Sequence, residues 1–460
     1  MEPENNRFGG GASGTVLHPL VAVLMLVAIV LILTLPRKRA IIPFFLAFFA
    51  IPPVQVIVLA GMHFTMLQIL ILTVLARMAA FRASSSEERF AGGVNALDRV
   101  EVLWSLSALI IFSLQWLETQ AVIKGLGDLV VSLGGYLAVR FLIPDREAVR
   151  TTIKVLAVVC VIQGVCMISE QYTMQNVFGF LGASSPTIRE GHIRSEGLLG
   201  TLYGGVFAGV LIPMFIWLWT EGKSRLAACA GLAGATAMVF SSHASTSWMA
   251  YGASLMGLGF WPLRKHMRLV RWGIVVLLVA LHLVMNGPVW SLIEKVDLTG
   301  GSSSYHRYML VDNCIRHFGD WWLIGYRYYN NWGFDMWDLC NQFVVAAVTG
   351  GLVTLIIYIM IFSRSFGAIG TARKQVSGDR SQEWLLWCLG SALYANVVSS
   401  FGINYMVQLL MCLFPLLVCT SVATFEARQS TVLNAETPGN EWFASVPGAA
   451  EIYLPLNQTK

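Results

Sequence analysis

From its N-terminal end the chain alternates runs of about 20 mostly apolar residues with short polar connections. The runs lie at 16–35, 41–60, 63–80, 101–117, 121–142, 152–169, 197–219, 225–242, 246–263, 271–286, 340–362, 384–401 and 404–424. A helix satisfies its backbone amides within its own segment, and about 20 residues rising about 1.5 Å each cross a hydrocarbon layer about 30 Å thick. The pattern predicts an all-α, polytopic transmembrane protein of about 12 to 13 spans within residues 1–425. The first run lacks a basic leader region and a small-residue cleavage site, so it reads as a retained span rather than a signal peptide.

Composition agrees: 56% of the 460 residues are hydrophobic and 12% charged, with a mean hydropathy of +0.65. Such a chain is too apolar for a water-soluble fold. The net charge of +5 matters less than where its carriers lie. Pro36-Arg-Lys-Arg39, Arg77 with Arg82, Arg140 with Arg146 and Arg150, Lys223 with Arg225, Arg264-Lys265 through Arg271, and Arg364 through Arg380 occupy alternate connections. The positive-inside rule makes these cytoplasmic. Connections 170–196 and 287–338 are then external, the N-terminus is outside, and a cytoplasmic tail at 426–460 is expected to be disordered or loosely attached. No period recurs and neither half is an inverted copy of the other, which weakens a repeat-built transporter. Cys160, Cys166, Cys229, Cys388, Cys412 and Cys419 fall inside apolar runs as fillers. Cys314 and Cys340 lie in or beside the long loop, where two free thiols are favoured over a disulfide.

The two external loops carry the candidate chemistry. The first holds Arg189, Glu190, His192, Arg194 and Glu196 directly before an apolar run. An arginine there offers a planar fork of donors suited to phosphate, although arginines at a membrane surface also reach for lipid headgroups. In the second loop, Gly300-Gly-Ser-Ser-Ser304 supplies serines to cap a helix predicted over 305–318. Asp312 and Arg316, four apart, are expected to pair on that helix. Arg307 stands in the first turn, where the helix dipole disfavours a cation, so its placement calls for another reason. Beyond the helix, Trp321, Trp322, Tyr328, Trp332 and Trp337 are interspersed with Asn and Asp, a mixture suited to sugar rings and their hydroxyls. An aromatic belt at the membrane interface is the competing explanation.

Three segments resemble the O-antigen ligase and O-antigen polymerase superfamily of bacterial inner-membrane glycosyltransferases. Ile193-Arg-Ser-Glu-Gly-Leu198 is similar to that family's Arg-bearing approach to a central helix, and Ser245-Thr-Ser-Trp248 to its Ser-Arg-Gly-x-Trp hairpin, without the arginine. Tyr305-His-Arg307, followed by Gly319-Asp-Trp-Trp-Leu-Ile-Gly325, is similar to its Arg-bearing periplasmic loop and Pro-Leu-x-Gly-x-Gly segment, lacking the proline and one glycine. Asp338-Leu-Cys-Asn-Gln-Phe343 running to Gly350-Gly-Leu352 is similar to its His-Asn-x-Tyr-Leu motif and Gly-rich continuation. The order fits as well, with three apolar runs after the long loop, and the resemblance covers 194–424.

The resemblance implies transfer of a glycan from a polyprenyl-diphosphate-linked donor to a sugar hydroxyl, with no nucleotide sugar, metal or other cofactor and no nucleic acid. Membrane lipids and other polysaccharide assembly proteins would be the remaining partners, in a bacterial inner membrane with the long loop periplasmic. Arg194 and Arg307, with Arg189 nearby, would face the leaving diphosphate, while His306, His317 or Asp338 would accept the hydroxyl proton, with Asn341 beside the substrate. Cys340 stands where the ligases carry a histidine, which favours a polymerase over a ligase. A transporter or flippase would need ionisable residues deep in its spans, for which Lys124, Asp128 and Lys154 are the candidates. A non-catalytic subunit of a polysaccharide assembly complex would keep the aromatic loop without requiring the arginines.

Overall fold

A computed structural model describes residues 14–59, 62–84, 89–295 and 303–436. Every apolar run folds as helix, wholly or in part. The first two helices are α1 (Pro19–Thr34) and α2 (Ile41–Ala50). Here the 41–60 run departs from expectation: Pro52-Pro53 stop the helix, and the remaining residues enter a hairpin of β1 (Val56–Leu59) and β2 (Met62–Thr65), with Val56 opposite Thr65. Next come α3 (Met66–Ser84) and α4 (Ala96–Trp116), the latter opened by a reciprocal cap between Asn95 and Asp98. A wider π turn at Val130–Gly134 joins α5 (Thr119–Leu129) to α6 (Gly135–Leu142) in one continuous helix. After α7 (Arg146–Thr173), a small hairpin of β3 (Thr187–Arg189) and β4 (His192–Arg194) leads into α8 (Thr201–Glu221).

The chain continues through α9 (Arg225–Ser242), α10 (Ser245–Gly259), α11 (Met267–Val284), α12 (Leu292–Lys295), α13 (Ser303–Arg316) and α14 (Phe318–Trp321). It finishes with α15 (Gln342–Gln375), α16 (Arg380–Ser399) and α17 (Val407–Glu436). Seven of these helical segments are long and apolar enough to cross a membrane, so the chain is an all-α, multi-pass membrane protein. No residue of α11 is buried, as befits an apolar helix surrounded by lipid. The expected tail begins as a continuation of α17 up to Glu436, while 437–460 and the capping segment at 300–302 lie outside the described residues.

Packing brings like ends together. A Cβ on Gly164 would stand 2.7 Å from the carbonyl oxygen of Gly234, so α7 and α9 meet backbone to backbone, the close approach that small residues allow in membranes. The connections rich in Lys and Arg share one end of the bundle. There Lys38 pairs with Glu147 at 3.2 Å, Arg150 with Glu221, and both Arg264 and Arg373 with Glu383 at 3.2 and 2.9 Å.

Near the opposite end, α15 is broken. Gly351 adopts φ 64°, ψ −172°, and the regular ladder fails around it. In an unbroken helix the Leu352 N–H would donate to the Val348 carbonyl. Instead Leu352 N–H donates to the Trp322 carbonyl at 2.9 Å, and the Val348 carbonyl accepts from Tyr326 N–H at 2.7 Å and Gln115 Nε2 at 2.9 Å. The Gly319-Asp-Trp-Trp-Leu-Ile-Gly325 segment thus docks its backbone into the break and satisfies groups that a membrane interior would leave costly. A small core of Leu310, Cys314, Trp321, Met336, Val344 and Val348 fastens α13 and the following segment against the first half of α15.

Candidate functional site

The predicted loop helix forms as α13, and Asp312 and Arg316 pair on it at 2.6 Å. Arg307 points inward from its first turns and is only 6% exposed. Its Nη2 donates to Thr246 Oγ1 at 2.9 Å, and that hydroxyl donates to the Gly402 carbonyl at 3.1 Å. Thr246 belongs to the Ser245-Thr-Ser-Trp248 segment opening α10, so two segments singled out separately in the sequence meet here. Gly402 leaves the room for this contact, because a Cβ there would come within 3.0 Å of Thr246 and 3.5 Å of the Arg307 Nε.

The turn between α16 and α17 is the hub. Besides Gly402, its Ser400 carbonyl accepts from Gln342 N–H at 2.8 Å, its Tyr405 N–H donates to Gln342 Oε1 at 2.6 Å, and Asn404 Oδ1 accepts from Tyr203 at 2.9 Å. Asn341 caps α15 through bonds from Phe343 and Val344, so its side chain is spent on the helix start. Sequence reasoning missed Thr246 as Arg307's partner, quoted Gln342 within a motif without giving it a role, and missed Tyr203 and Asn404 altogether. The only signal was polar residues at the ends of apolar runs.

His306, one residue before Arg307, places a ring nitrogen 2.8 Å from the Asp338 carbonyl oxygen, which also accepts from the Cys340 N–H at 2.9 Å. The side chains of His306, Asp338 and Cys340 converge. Burial, then the neighbouring Asp338 charge, pushes the Cys340 thiol up to about 12, with Arg307 pulling the other way. His317 belongs elsewhere: it contacts Asp320 at 3.1 Å and stacks on Trp332 with ring centres 5.0 Å apart. Of the three proposed proton acceptors, His306 and Asp338 lie together next to Arg307.

Arg194 approaches from β4. Gln171 fixes this hairpin by donating to the Ile193 carbonyl and Ser195 Oγ, both at 2.8 Å, and Glu170 accepts from the Glu196 and Gly197 amides at 2.6 and 2.9 Å. Arg194 is half-buried, and its Nε has no hydrogen-bond partner among the described residues. Burial, with smaller contributions from the positive charges of Arg189 and Arg307, lowers its affinity for the proton. Arg189 itself is exposed and pairs with Glu190 at 3.5 Å. His192 and His243 stack flat beside Arg194, centres 4.9 Å apart, and burial with these two neighbouring charges lowers the His243 pKa.

The aromatic segment divides. Trp321 is 4% exposed and donates its Nε1 to the Cys314 carbonyl at 2.7 Å, so it is core. Trp332 stacks on both His317 and Tyr326, with ring centres 5.0 and 5.6 Å away, and is partly buried. Trp322, Tyr328 and Trp337 remain exposed, with the Arg327 guanidinium over the Tyr328 ring at 4.7 Å.

A cavity of about 590 Å³ opens against the turn between α16 and α17, and neither the two arginines nor the aromatic segment lines it. Gln342, Asn404 and Tyr405 contribute polar groups, while Leu70, Leu109, Phe112, Leu129 and Ala346 are among its apolar walls. No protein-family model matches the chain, and no curated protein matches it significantly.

Proposed function

We propose that the protein transfers a glycan from a polyprenyl-diphosphate carrier to a sugar hydroxyl, extending a surface polysaccharide at the periplasmic face of a bacterial inner membrane. The observation that carries this reading is Arg194: a permanent cation, half-buried, whose Nε has no hydrogen-bond partner among the described residues, with a second arginine within electrostatic reach. Buried charge is costly unless paired, and the Arg194 Nε is left over beside the charges of Glu190 and Glu196, so a further anion such as a diphosphate fits there. The turn that seats Arg307 through Gly402 also bounds the cavity through Asn404 and Tyr405, which suits a polar headgroup continued by an isoprenoid chain.

In this reaction the acceptor oxygen forms a bond to the sugar's anomeric carbon as the bond from that carbon to the diphosphate breaks. The hydroxyl proton passes to Asp338 or His306, and Arg307 and Arg194 stabilise the negative charge on the leaving group. In this reading the apolar runs cross the membrane, 41–60 with only its ten-residue α2 as helix, and the basic end is cytoplasmic. The exposed Trp322, Tyr328 and Trp337 receive the sugars.

Purified protein given a lipid-linked oligosaccharide is expected to release polyprenyl diphosphate and lengthen the glycan. Arg307→Ala and Arg194→Ala should each slow this at least about a hundredfold, the scale of losing one donor to a developing charge, while membrane insertion is unchanged. Full activity in both variants would falsify the assignment. Deleting the gene should leave single repeat units on the cell surface if the protein is a polymerase, and unattached full-length chains if it is a ligase.

A transport reading draws support from one place. Glu101 on α4 is 1% exposed, neither carboxylate oxygen has a partner among the described residues, and the buried Asp98–Arg140 pair lies close by. Lys124 and Asp128 pair with each other at 2.6 Å. Movement of a labelled lipid-linked oligosaccharide across vesicles without release of polyprenyl diphosphate would favour transport over transfer.

A further inference from the structure

The cluster beside Arg307 has a composition that general acid–base chemistry does not require. His306, Asp338 and Cys340 each offer one ligand atom, and the three atoms lie within 4.8 Å of one another. Imidazole nitrogen, thiolate sulfur and carboxylate oxygen are the donors that zinc and related borderline divalent ions take. Three protein ligands leave a fourth tetrahedral position open. We propose that His306, Asp338 and Cys340 form a binding site for a single divalent transition-metal ion of the zinc class. The site faces outward enough for an ion to arrive, since Asp338 is exposed and the other two are partly so.

The surroundings hold these donors in place. Asp338 and Cys340 belong to one tight turn, closed by the Cys340 N–H bonding the Asp338 carbonyl at 2.9 Å. A ring nitrogen of His306 lies 2.8 Å from the same carbonyl oxygen, so the helix and the turn are fastened together through one backbone atom. A carbonyl partner of this kind orients many metal-bound imidazoles. The helix is fixed next door by Arg307, whose bond to Thr246 leaves α13 little freedom to slide.

Charge balance supports a divalent ion. A thiolate and a carboxylate offset a 2+ charge in full. Arg307 disfavours a cation nearby, and it offsets only part of the burial and the Asp338 charge that oppose the Cys340 thiolate, so the ion itself must draw the proton off. Hexahydrated magnesium or calcium would gain little from a sulfur ligand, so the site discriminates against hard cations. A metal site here would stand even if the protein transferred nothing, but an ion held by His306 and Asp338 would occupy both side chains named above as proton acceptors.

Cobalt(II) titrated into the full-length purified protein is the test, because a bound thiolate gives cobalt an intense near-ultraviolet charge-transfer band. One equivalent is expected to bind, with a band that zinc displaces and magnesium does not. Cys340→Ser should abolish the band, and His306→Ala and Asp338→Asn should each weaken cobalt binding at least about tenfold. Cys229→Ser, removing the one other cysteine with an exposed side chain among the described residues, should leave the band intact. Each variant is first checked for a monodisperse size-exclusion peak, and asparagine and serine are near enough in size to hold the turn. No thiolate band in the unmodified protein, or a band that persists in Cys340→Ser, overturns the proposal.

Discussion

His243 sits in the left-handed region at φ 43°, closing α9, with its ring flat against His192 and the Arg194 charge nearby. Each neighbour opposes a proton on it, and burial does so most. Its pKa is therefore lower in the folded protein than the ordinary 6.5, and the unfolded chain takes up the proton first. The sign follows from linkage. Above 6.5 neither state is charged and His243 is neutral to stability, whereas between 6.5 and the lower folded value acidification favours unfolding. His243→Asn keeps a residue that tolerates positive φ but does not titrate. We expect the variant to lose less thermal stability than the unmodified protein as pH falls below 6.5; parallel losses in the two would show that His243 plays no part. The same residue bears on ligand binding, because an anion drawn to Arg194 would lower the cost of protonating His243, so bound pyrophosphate should blunt the acid loss.

At the level of elements, the break in α15 and the segment that fills it form one device. Gly325, at φ 72°, lies so close to the Val348 carbonyl that a Cβ would clash with backbone, and a Cβ on Gly351 would stand 2.7 Å from the Leu323 carbonyl oxygen. Gly325→Ala is expected to cost roughly 1–3 kcal/mol, the usual scale of forced backbone strain, and to raise amide exchange in 319–326 and 348–352. Gly319→Ala is the control, since nothing lies within 4 Å of a Cβ there; equal effects from the two would refute the docking role. The helices themselves were legible because long apolar runs admit few other solutions in a membrane. The 286–338 loop was legible as a place rather than a geometry. Helical spacing announced the Asp312–Arg316 pair, and charge placement announced that Arg307 needed a partner. What remained hidden depended on contacts between residues distant in the chain. Thr246 has no feature of its own that marks it for Arg307, and the prolines that end α2 were simply outweighed by the apolar count. The aromatic segment reads alike whether a ring stacks on sugar or on another ring, so Trp321 and Trp332 could not be told from Trp322 and Trp337.

At the scale of the whole molecule, the proposed orientation rests on where charge would have to travel. The end holding Lys38, Arg150, Arg264 and Arg373 is tied by ion pairs linking several connections. Turning it outward would carry this basic surface across the bilayer, at about 2.5 to 3.5 kcal/mol for each unneutralised Arg or Lys at mid-membrane. The opposite end keeps β3, β4, α13 and the exposed aromatic residues, with Arg189 paired to Glu190 and the Arg194 Nε without a hydrogen-bond partner among the described residues. In intact spheroplasts of a cysteine-free background, a membrane-impermeant maleimide should therefore label Ile188→Cys and Trp337→Cys, which are 65% and 67% exposed. It should label Leu226→Cys, 85% exposed near the basic end, only after the membrane is permeabilised. Labelling of Leu226→Cys in intact spheroplasts, with Trp337→Cys protected, would invert the topology and remove Arg307 and the exposed aromatics from the periplasm. A periplasmic glycan donor could not then reach them, and the transferase proposal would fall with the orientation.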